Sequence, residues 1–257
     1  MLQRSAVVVG LLVVAGWTAA AQEPAPKSRL DTSNVVPSTF RAQLVVDNRF
    51  TPKVAPKAGE PPKDADRDPR DRTGKMHCLV CEYGLSPVVA VFVRADPAKL
   101  AEADGLSKFL KRLDFATNNP LRPRDGLLAR YQADKMGAFV MFLTLDGGQE
   151  RVTVKGASGA DEQVIVDKEY PHDEKRDEKR EAVRKYFDAV KTDKVPFGLA
   201  ADKSAALTAF QVGDAPVTVV IYNRMRIANR WALKSDDLTD AKIAEIVAGV
   251  EDMVKTK

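Results

Sequence analysis

The chain is poor in cysteine and histidine, with two residues of each among its 257. Cys78 and Cys81 can form one intrachain disulfide with each other and none with any other residue, which excludes a framework of several disulfides. The histidines, His77 and His172, are far apart in sequence. A metal site would therefore have to use the soft ligands of one short stretch, Met76, His77, Cys78 and Cys81.

The sequence also lacks a strong net charge. Its 40 lysine and arginine side chains are nearly balanced by 36 aspartate and glutamate side chains, which leaves a formal net charge of +4. Such a mixture is not the basic footprint of a nucleic-acid-binding protein. We therefore expect no nucleic-acid partner. No phosphate-loop or haem-attachment motif is present either, and we expect no cofactor.

Long hydrophobic runs are missing except at the N-terminus. There AVVVGLLVVAGW (residues 6–17) follows Arg4 and precedes small residues at Ala19 and Ala21. A basic start, a short apolar run and a small-x-small end form the pattern of a secretory signal peptide. The sequence thus predicts a signal peptide over residues 1–21, cleaved after Ala21.

The signal peptide predicts where the protein acts and where its domain begins. Residues 22–37 are rich in proline, alanine, serine and charge, which predicts a flexible linker. Residues 38–257 then form one domain. We expect the mature protein to be exported, periplasmic or extracellular, and to have no membrane span.

Apolar runs and helical periods alternate through the domain. The predicted strands lie at residues 40–46, 87–94, 137–145, 195–200, 217–223 and 226–233. The predicted helices lie at residues 100–115, 181–190, 205–210 and 239–254. Alternating elements of this kind predict an α/β fold, with a central mixed sheet and helices on both faces. The strand at 40–46 is an early addition, and residues 152–166 predict an inserted hairpin.

One segment carries a family resemblance. VPFGLAADKSAALTAFQVGDAPVTVVIYNRMRIANRWAL, residues 195–233, contains a strand, a loop with Asp, a short helix and a proline-led hairpin. In this order it resembles the thioredoxin-like superfamily, with the closest similarity to the exported oxidoreductase and peroxiredoxin-like branch. The resemblance covers about residues 40–254 and implies a thioredoxin-like fold. It also implies that Pro216 is the cis-proline that faces the active site of that family.

The usual redox cysteine of that family is missing. In the family it follows the first core strand, where the N-terminus of the next helix favours the thiolate. Here that position reads RADPAKL, residues 94–100, without cysteine. The proline, threonine and cysteine arrangement of peroxiredoxins is missing as well. The sequence therefore disfavours a peroxidase and an ordinary thioredoxin site.

The cysteines precede the core strand instead, in MHCLVCEYGLSPVVAVFVR, residues 76–94. We expect them at the end of the sheet opposite the family's active site, or on an added segment beside it. Three roles remain open for the pair. The first role is a structural disulfide, whose small ring contributes about 2 kcal/mol to the stability of the fold. The second is a redox dithiol, and the third is a copper or zinc site.

The leading hypothesis is an exported thioredoxin-like protein that performs thiol–disulfide exchange or redox sensing with a protein thiol or disulfide partner. Cys78 and Cys81 are its candidate catalytic residues, supported by His77 and Pro216. Cationic His77 would favour a thiolate at Cys78 and Glu82 would oppose one at Cys81, so Cys78 is predicted to attack and Cys81 to resolve. The alternatives are a non-enzymatic binding scaffold with a structural disulfide and a soft-metal protein.

Overall fold

The structure is a computed structural model that describes residues 34–37, 39–50, 67–100, 104–114, 125–145, 149–155, 159–167 and 174–256. Its strands are β1 (Arg41–Val46), β2 (Met76–Cys78), β3 (Val88–Val93), β4 (Gly137–Leu145), β5 (Gln149–Lys155), β6 (Asp161–Asp167), β7 (Phe197–Ala201), β8 (Val217–Asn223) and β9 (Arg226–Leu233). Its helices are α1 (Leu79–Tyr83), α2 (Gly105–Leu113), α3 (Leu127–Arg130), α4 (Glu174–Val190), α5 (Ala205–Ala209) and α6 (Asp240–Lys255).

Seven of the strands form one mixed sheet in the order β2-β1-β7-β4-β3-β8-β9. Strand β3, next to the central strand β4, is parallel to β4 and antiparallel to β8. On the β4 side, β7 is parallel to β4, and β1 and β2 complete that edge as antiparallel strands. Strands β5 and β6 form a separate two-stranded hairpin. Helices lie in the crossovers between the parallel strands, as parallel pairing requires.

Strand β3 is apolar throughout because both of its faces are covered. All six of its residues are buried. Val89, Val91 and Val93 belong to the hydrophobic cluster formed with α2, α4 and α6. The residues between them belong to a second cluster, formed with α1 and α5. This alternation with a period of two places helices on both faces of the sheet.

The sheet confirms the predicted fold class. Strands β4-β3-β8-β9 comprise a parallel pair followed by an antiparallel hairpin, and helix α6 closes the chain, which is the arrangement of a thioredoxin-like fold. The predicted early strand is β1, and the predicted inserted hairpin is β5–β6. The β8–β9 turn is made by Arg224 and Met225, whose φ angles of 50° and 62° suit a two-residue hairpin turn.

Three elements were not predicted, and two of them carry the cysteines. Strand β2 has three residues and α1 has five, so neither is long enough to show a hydrophobic period. Helix α3, with four residues, is equally short. Helix α4 was predicted over 181–190, with the charged repeat DEKRDEKR (residues 173–180) interpreted as a solvated helix start. The structure confirms that start, since α4 begins at Glu174.

The prediction of a cis-proline at Pro216 is wrong. No peptide bond in the described parts of the chain is cis. The carbonyl oxygen of Pro216 accepts a hydrogen bond of 2.8 Å from the backbone N–H of Arg94. This bond continues the β3–β8 ladder beyond its last pair, Val93 with Val217. Pro216 thus prolongs an extended strand, and a trans peptide fits that role.

The described chain begins against the β8–β9 hairpin. Val35 forms an isolated bridge with Arg226, and the buried Val36 donates its N–H to the carbonyl of Met225 at 2.9 Å. The predicted linker, residues 22–37, therefore contacts the domain at its last residues. The predicted signal peptide, residues 1–21, lies outside the described residues. No helix in the described ranges combines the length and the apolar character needed to cross a bilayer.

Tyr83, at the end of α1, packs on Gly137 at the start of β4. A Cβ added at Gly137 would overlap the Tyr83 ring. We expect Gly137→Ala to destabilise the fold by about 1–3 kcal/mol, because the ring or the helix must move. Gly213→Ala is the matched control, since an added Cβ there meets nothing within 4 Å. Urea denaturation measures both, and equal midpoints for the two variants would contradict the packing described.

Candidate functional site

Cys78 and Cys81 form a disulfide that joins an edge strand to a short helix. Cys78 is the last residue of β2, Cys81 lies in α1, and their Cα atoms are 5.4 Å apart. Strand β2 is at one edge of the sheet, so the pair lies on an added segment, the second of the two places predicted. Pro216 precedes β8, five strand positions away from β2. At about 4.8 Å per strand, this is roughly 24 Å.

The two sulfur atoms have different surroundings. The Sγ of Cys78 accepts hydrogen bonds from the backbone N–H groups of Phe40, at 3.4 Å, and Cys81, at 3.2 Å. Cys78 is half-buried and also packs against the second hydrophobic cluster, whereas Cys81 is exposed. The disulfide thus joins an exposed residue to a residue whose sulfur is held by two backbone N–H groups.

The disulfide lines an open cleft of about 540 Å³. The lining residues are Arg41, Phe50, Arg70, Arg72, Met76, His77, Cys78, Cys81 and Glu82. Arg41 is the partner of Cys78 in the β1–β2 ladder. Residues directly opposite in an antiparallel pair have Cβ atoms about 5 Å apart. Sequence reasoning missed Arg41 because only the strand register brings it to the cysteines.

A buried ion-pair network holds α1 against the end of β1. The Arg49 guanidinium contacts Asp47 through two bonds of 2.7 and 2.8 Å and Glu82 through one of 2.8 Å. The side chain of Asp47 is fully buried and that of Arg49 is 10% exposed. Burial by itself lowers the pKa of Arg49, but the hydrogen bond and charge of Asp47 outweigh it, so the pKa lies above its usual value. Arg49 therefore stays cationic and links the strand to the helix.

Tyr83 fixes the other end of α1. Its hydroxyl donates to the carbonyl of Ala138 at 3.0 Å, and its ring stacks on Phe139 with centroids 6.4 Å apart. Burial raises the pKa of Tyr83 to about 12, although the nearby Arg49 charge opposes the shift. The phenol thus stays protonated and able to donate at neutral pH. Helix α1 is held at both ends, by Cys78 at its start and Tyr83 at its finish.

His77 contacts a carboxylate. Its Nε2 lies 2.5 Å from the Oε2 of Glu82, which also contacts Arg49. The structure therefore brings His77, Cys78, Cys81 and the half-exposed Met76 around one cleft, and it places Pro216 elsewhere. In the described part of the chain, no group of three or more His, Cys, Asp or Glu side chains is arranged to hold a metal ion.

The family's usual redox position is occupied by backbone turns and an arginine. Arg94 follows β3, and its guanidinium donates to the carbonyls of Gly213, at 2.8 Å, and Asp202, at 3.3 Å. A 3-10 turn, Pro97–Lys99, stands where a helix start was expected, and α2 begins only at residue 105. Since both cysteines of the chain lie in β2 and α1, this position has no thiol.

No protein-family model matches the sequence, and no curated protein matches it. Several solved structures are similar in fold. A secreted Mycobacterium tuberculosis disulfide oxidoreductase homologous to E. coli DsbE is 9% identical, with 84% of this chain and 96% of that one covered and a TM-score of 0.43. Mycobacterium tuberculosis AhpC is 9% identical, with 87% and 92% covered and a TM-score of 0.47. A cysteine-to-serine variant of Xanthomonas campestris peroxiredoxin Q is 11% identical, with 69% and 87% covered and a TM-score of 0.35.

The class of the protein follows from its own strand order and connections: it has a thioredoxin-like α/β fold with a Cys-x-x-Cys disulfide. The disulfide stands on an added edge segment, away from the strand end next to Pro216.

The ion-pair network can be tested with Arg49→Met, which keeps the length of the side chain and removes its charge. We expect a loss of about 3–5 kcal/mol in stability, because Asp47 is left buried without its cation. Arg180→Met is the matched control, since Arg180 contacts Asp177 at the exposed surface of α4. It should change stability by no more than about 0.5 kcal/mol. Chemical denaturation gives both values, and similar small losses would show that Arg49 does not hold α1.

Tyr83 predicts a pH dependence of stability. Its pKa is raised by burial to about 12 in the folded state, against about 10 in an unfolded chain. Its contribution is therefore complete below pH 10 and is lost as the pH rises from about 10 to 12. We expect Tyr83→Phe to make the decline in that window less steep. Denaturation curves give the free energy of unfolding of both proteins at each pH, relative to its value at pH 8, where Tyr83 is protonated in the folded and unfolded states. Equal losses of stability with pH in the two proteins would contradict the prediction.

Proposed function

We propose that the protein takes part in thiol–disulfide exchange through the Cys78–Cys81 disulfide at the sheet edge. The observation that carries this proposal is the inequality of the two sulfurs. Cys81 is exposed in an open cleft, and the Sγ of Cys78 is held by two backbone N–H donors. An accessible sulfur for attack and a stabilised sulfur for departure are what exchange requires.

Reduction of the disulfide proceeds by two displacements. A partner thiolate attacks the Sγ of Cys81, the protein S–S bond breaks, and its electron pair leaves on the Sγ of Cys78. A second thiolate attacks the partner's sulfur in the mixed disulfide and releases Cys81 as a thiolate. The partner becomes a disulfide, the protein gains two electrons, and its thiolates take protons from water.

The N–H groups of Phe40 and Cys81 stabilise the leaving thiolate. Hydrogen bonds to sulfur favour its charged form, and a better stabilised thiolate leaves faster. Both donors already contact Cys78 in the disulfide form, so no rearrangement is needed to engage them. The mixed disulfide therefore forms at Cys81, and Cys78 is the sulfur released.

This assignment differs from the roles expected from sequence. His77 was expected to favour a thiolate at Cys78 and to make that residue the attacking one. Its Nε2 instead contacts Glu82, and the support for charge at Cys78 comes from backbone N–H groups. The greater exposure of Cys81 favours that sulfur as the place of attack. The two cysteines cannot exchange these roles, because the Cys78 side chain caps the start of α1 and the backbone N–H that it accepts comes from Cys81.

The surroundings of α1 support repeated use of the disulfide. Arg49 and Tyr83 fix the helix through contacts that do not involve either sulfur, so the segment remains attached when the S–S bond is open. A location in an oxidising compartment, periplasmic or extracellular, suits such a pair. The predicted signal peptide supports that location, and the partner would be a protein thiol or disulfide.

A binding scaffold with a structural disulfide is the alternative. Its supporting observation is that the bond joins the end of β2 to α1, which would fasten a three-residue edge strand. The ring is so small that it adds only about 2 kcal/mol through chain entropy. A copper or zinc site would need both thiolates, and it would therefore exist only in the reduced protein.

The reduction potential of the pair separates exchange from the scaffold role. The protein is equilibrated in thiol redox buffers, quenched by alkylation and analysed by mass. A potential between about −120 and −270 mV, the range of exchange proteins, is expected. A value below about −300 mV would overturn the proposal and leave the structural disulfide. The double variant Cys78→Ser, Cys81→Ser is the alkylation control and should show no redox-dependent change in mass.

A further inference from the structure

We infer that the exchange partner of the disulfide is an acidic peptide segment, with carboxylates beside its reacting sulfur. The inference rests on the proposed exchange function and names the class of substrate for the same cleft. It comes from the charge of the cleft, which is unlike the nearly neutral chain as a whole. Three of its nine lining residues are arginines, and one is acidic.

Arg41 is the arginine that pairs with a cysteine of the disulfide in the sheet. It faces Cys78 across the β1–β2 ladder and is exposed. Within the described ranges, no carboxylate contacts its guanidinium. A cationic side chain on the residue paired with Cys78 attracts anionic groups on an incoming partner. It also stabilises the negative charge that an attacking thiolate brings.

Arg72 adds a second uncompensated charge. Its side chain donates only to the carbonyl of Pro69, at 3.3 Å, and no carboxylate among the described residues contacts it. The third arginine, Arg70, is neutralised by a two-bond contact with Asp68, with N–O distances of 3.0 and 2.8 Å. Among the described residues, Arg41 and Arg72 therefore give the cleft a local excess of positive charge.

The one acidic lining residue does not cancel this excess. Glu82 is engaged by Arg49, at 2.8 Å, and by His77, at 2.5 Å. Its carboxylate is thus directed towards Arg49 and His77 of the protein itself. A partner that approaches Cys81 meets the arginines as the charges still available for pairing. Carboxylates are the side-chain groups of a peptide that arginine can bind through two parallel hydrogen bonds.

The size and walls of the cleft favour a peptide over a small thiol. A volume of about 540 Å³ exceeds the needs of a single small thiol. Phe50 and the half-exposed Met76 supply apolar wall next to the arginines. The cleft is lined in part by β2, which is the last strand of its sheet in the described part of the chain. An extended segment can approach along such an edge.

The first test uses three small thiols of similar size and different charge. They are mercaptoethanesulfonate (anionic), 2-mercaptoethanol (neutral) and cysteamine (cationic). The rate of reduction of the native disulfide is measured with each and expressed per thiolate. The variant Arg41→Gln, Arg72→Gln is compared with the original protein, and Arg180→Gln on α4 is the control. For each thiol, the rate with the variant is divided by the rate with the original protein, so that the intrinsic reactivity of the thiol cancels.

We expect the double variant to lower the preference for the anionic over the cationic thiol by about five- to tenfold. Arg180→Gln should leave this preference unchanged. Raising the ionic strength from 0.05 to 1 M should reduce the preference of the original protein, because salt screens exposed charges. If the ratio of the variant's rate to the original protein's rate is the same for all three thiols, the inference is overturned, while the proposed exchange function stands.

The second test uses two capped tripeptides, Glu-Cys-Glu and Lys-Cys-Lys, in the same comparison of proteins. The acidic peptide should lose rate in the double variant and the basic one should gain it. An effect on mercaptoethanesulfonate without an effect on the acidic peptide would overturn the peptide class in favour of a small anionic thiol. Failure of every thiol to reduce the native disulfide would instead overturn the proposed function itself.

Discussion

The placement of the candidate site depends on one buried cation. Arg49 must be compensated where it lies, and its partners come from two separate parts of the fold: Asp47 beyond the end of β1 and Glu82 on α1. A guanidinium with donors in a fixed fork can satisfy both carboxylates at once. The ion pairs of Arg49 thus hold the short cysteine-bearing helix α1 against the sheet. They are needed because a helix of five residues is not stable alone.

The disulfide acquires its properties from that attachment. Since α1 is held by Arg49 and Tyr83, its first turn meets the end of β2 at a fixed angle, and the N–H of Cys81 reaches the Sγ of Cys78. The N–H of Phe40, the residue before β1, reaches the same sulfur. One sulfur is thereby held by the backbone, while the other belongs to an exposed residue, and both cysteines line the cleft. A thioredoxin-like sheet thus presents a disulfide at its edge, away from the strand end where the family's redox cysteine follows β3.

The central sheet could be predicted from sequence because its strands are long and buried. VVAVFV in β3 and GAFVMFLTL in β4 have no polar interruption apart from Thr144, and the alternation with helices predicts parallel pairing. Strand β2 and helix α1 are too short to show a period, so the local setting of the cysteines could not be predicted. Arg41 is 37 positions away from Cys78 and is joined to it only by register. The expected pairing of His77 with a thiolate was based on adjacency, which does not determine where a side chain makes its contact.

The most direct test of this account is to map the mixed disulfide. The oxidised protein is treated briefly with limiting glutathione, quenched in acid, blocked with N-ethylmaleimide and digested with trypsin. Both cysteines lie in one peptide, residues 76–94, so fragmentation within it assigns each modification. The account predicts glutathione on Cys81 and N-ethylmaleimide on Cys78, because Cys81 is the more exposed residue and Cys78 carries the stabilised sulfur. Glutathione on Cys78, or an equal distribution between the two, would contradict it.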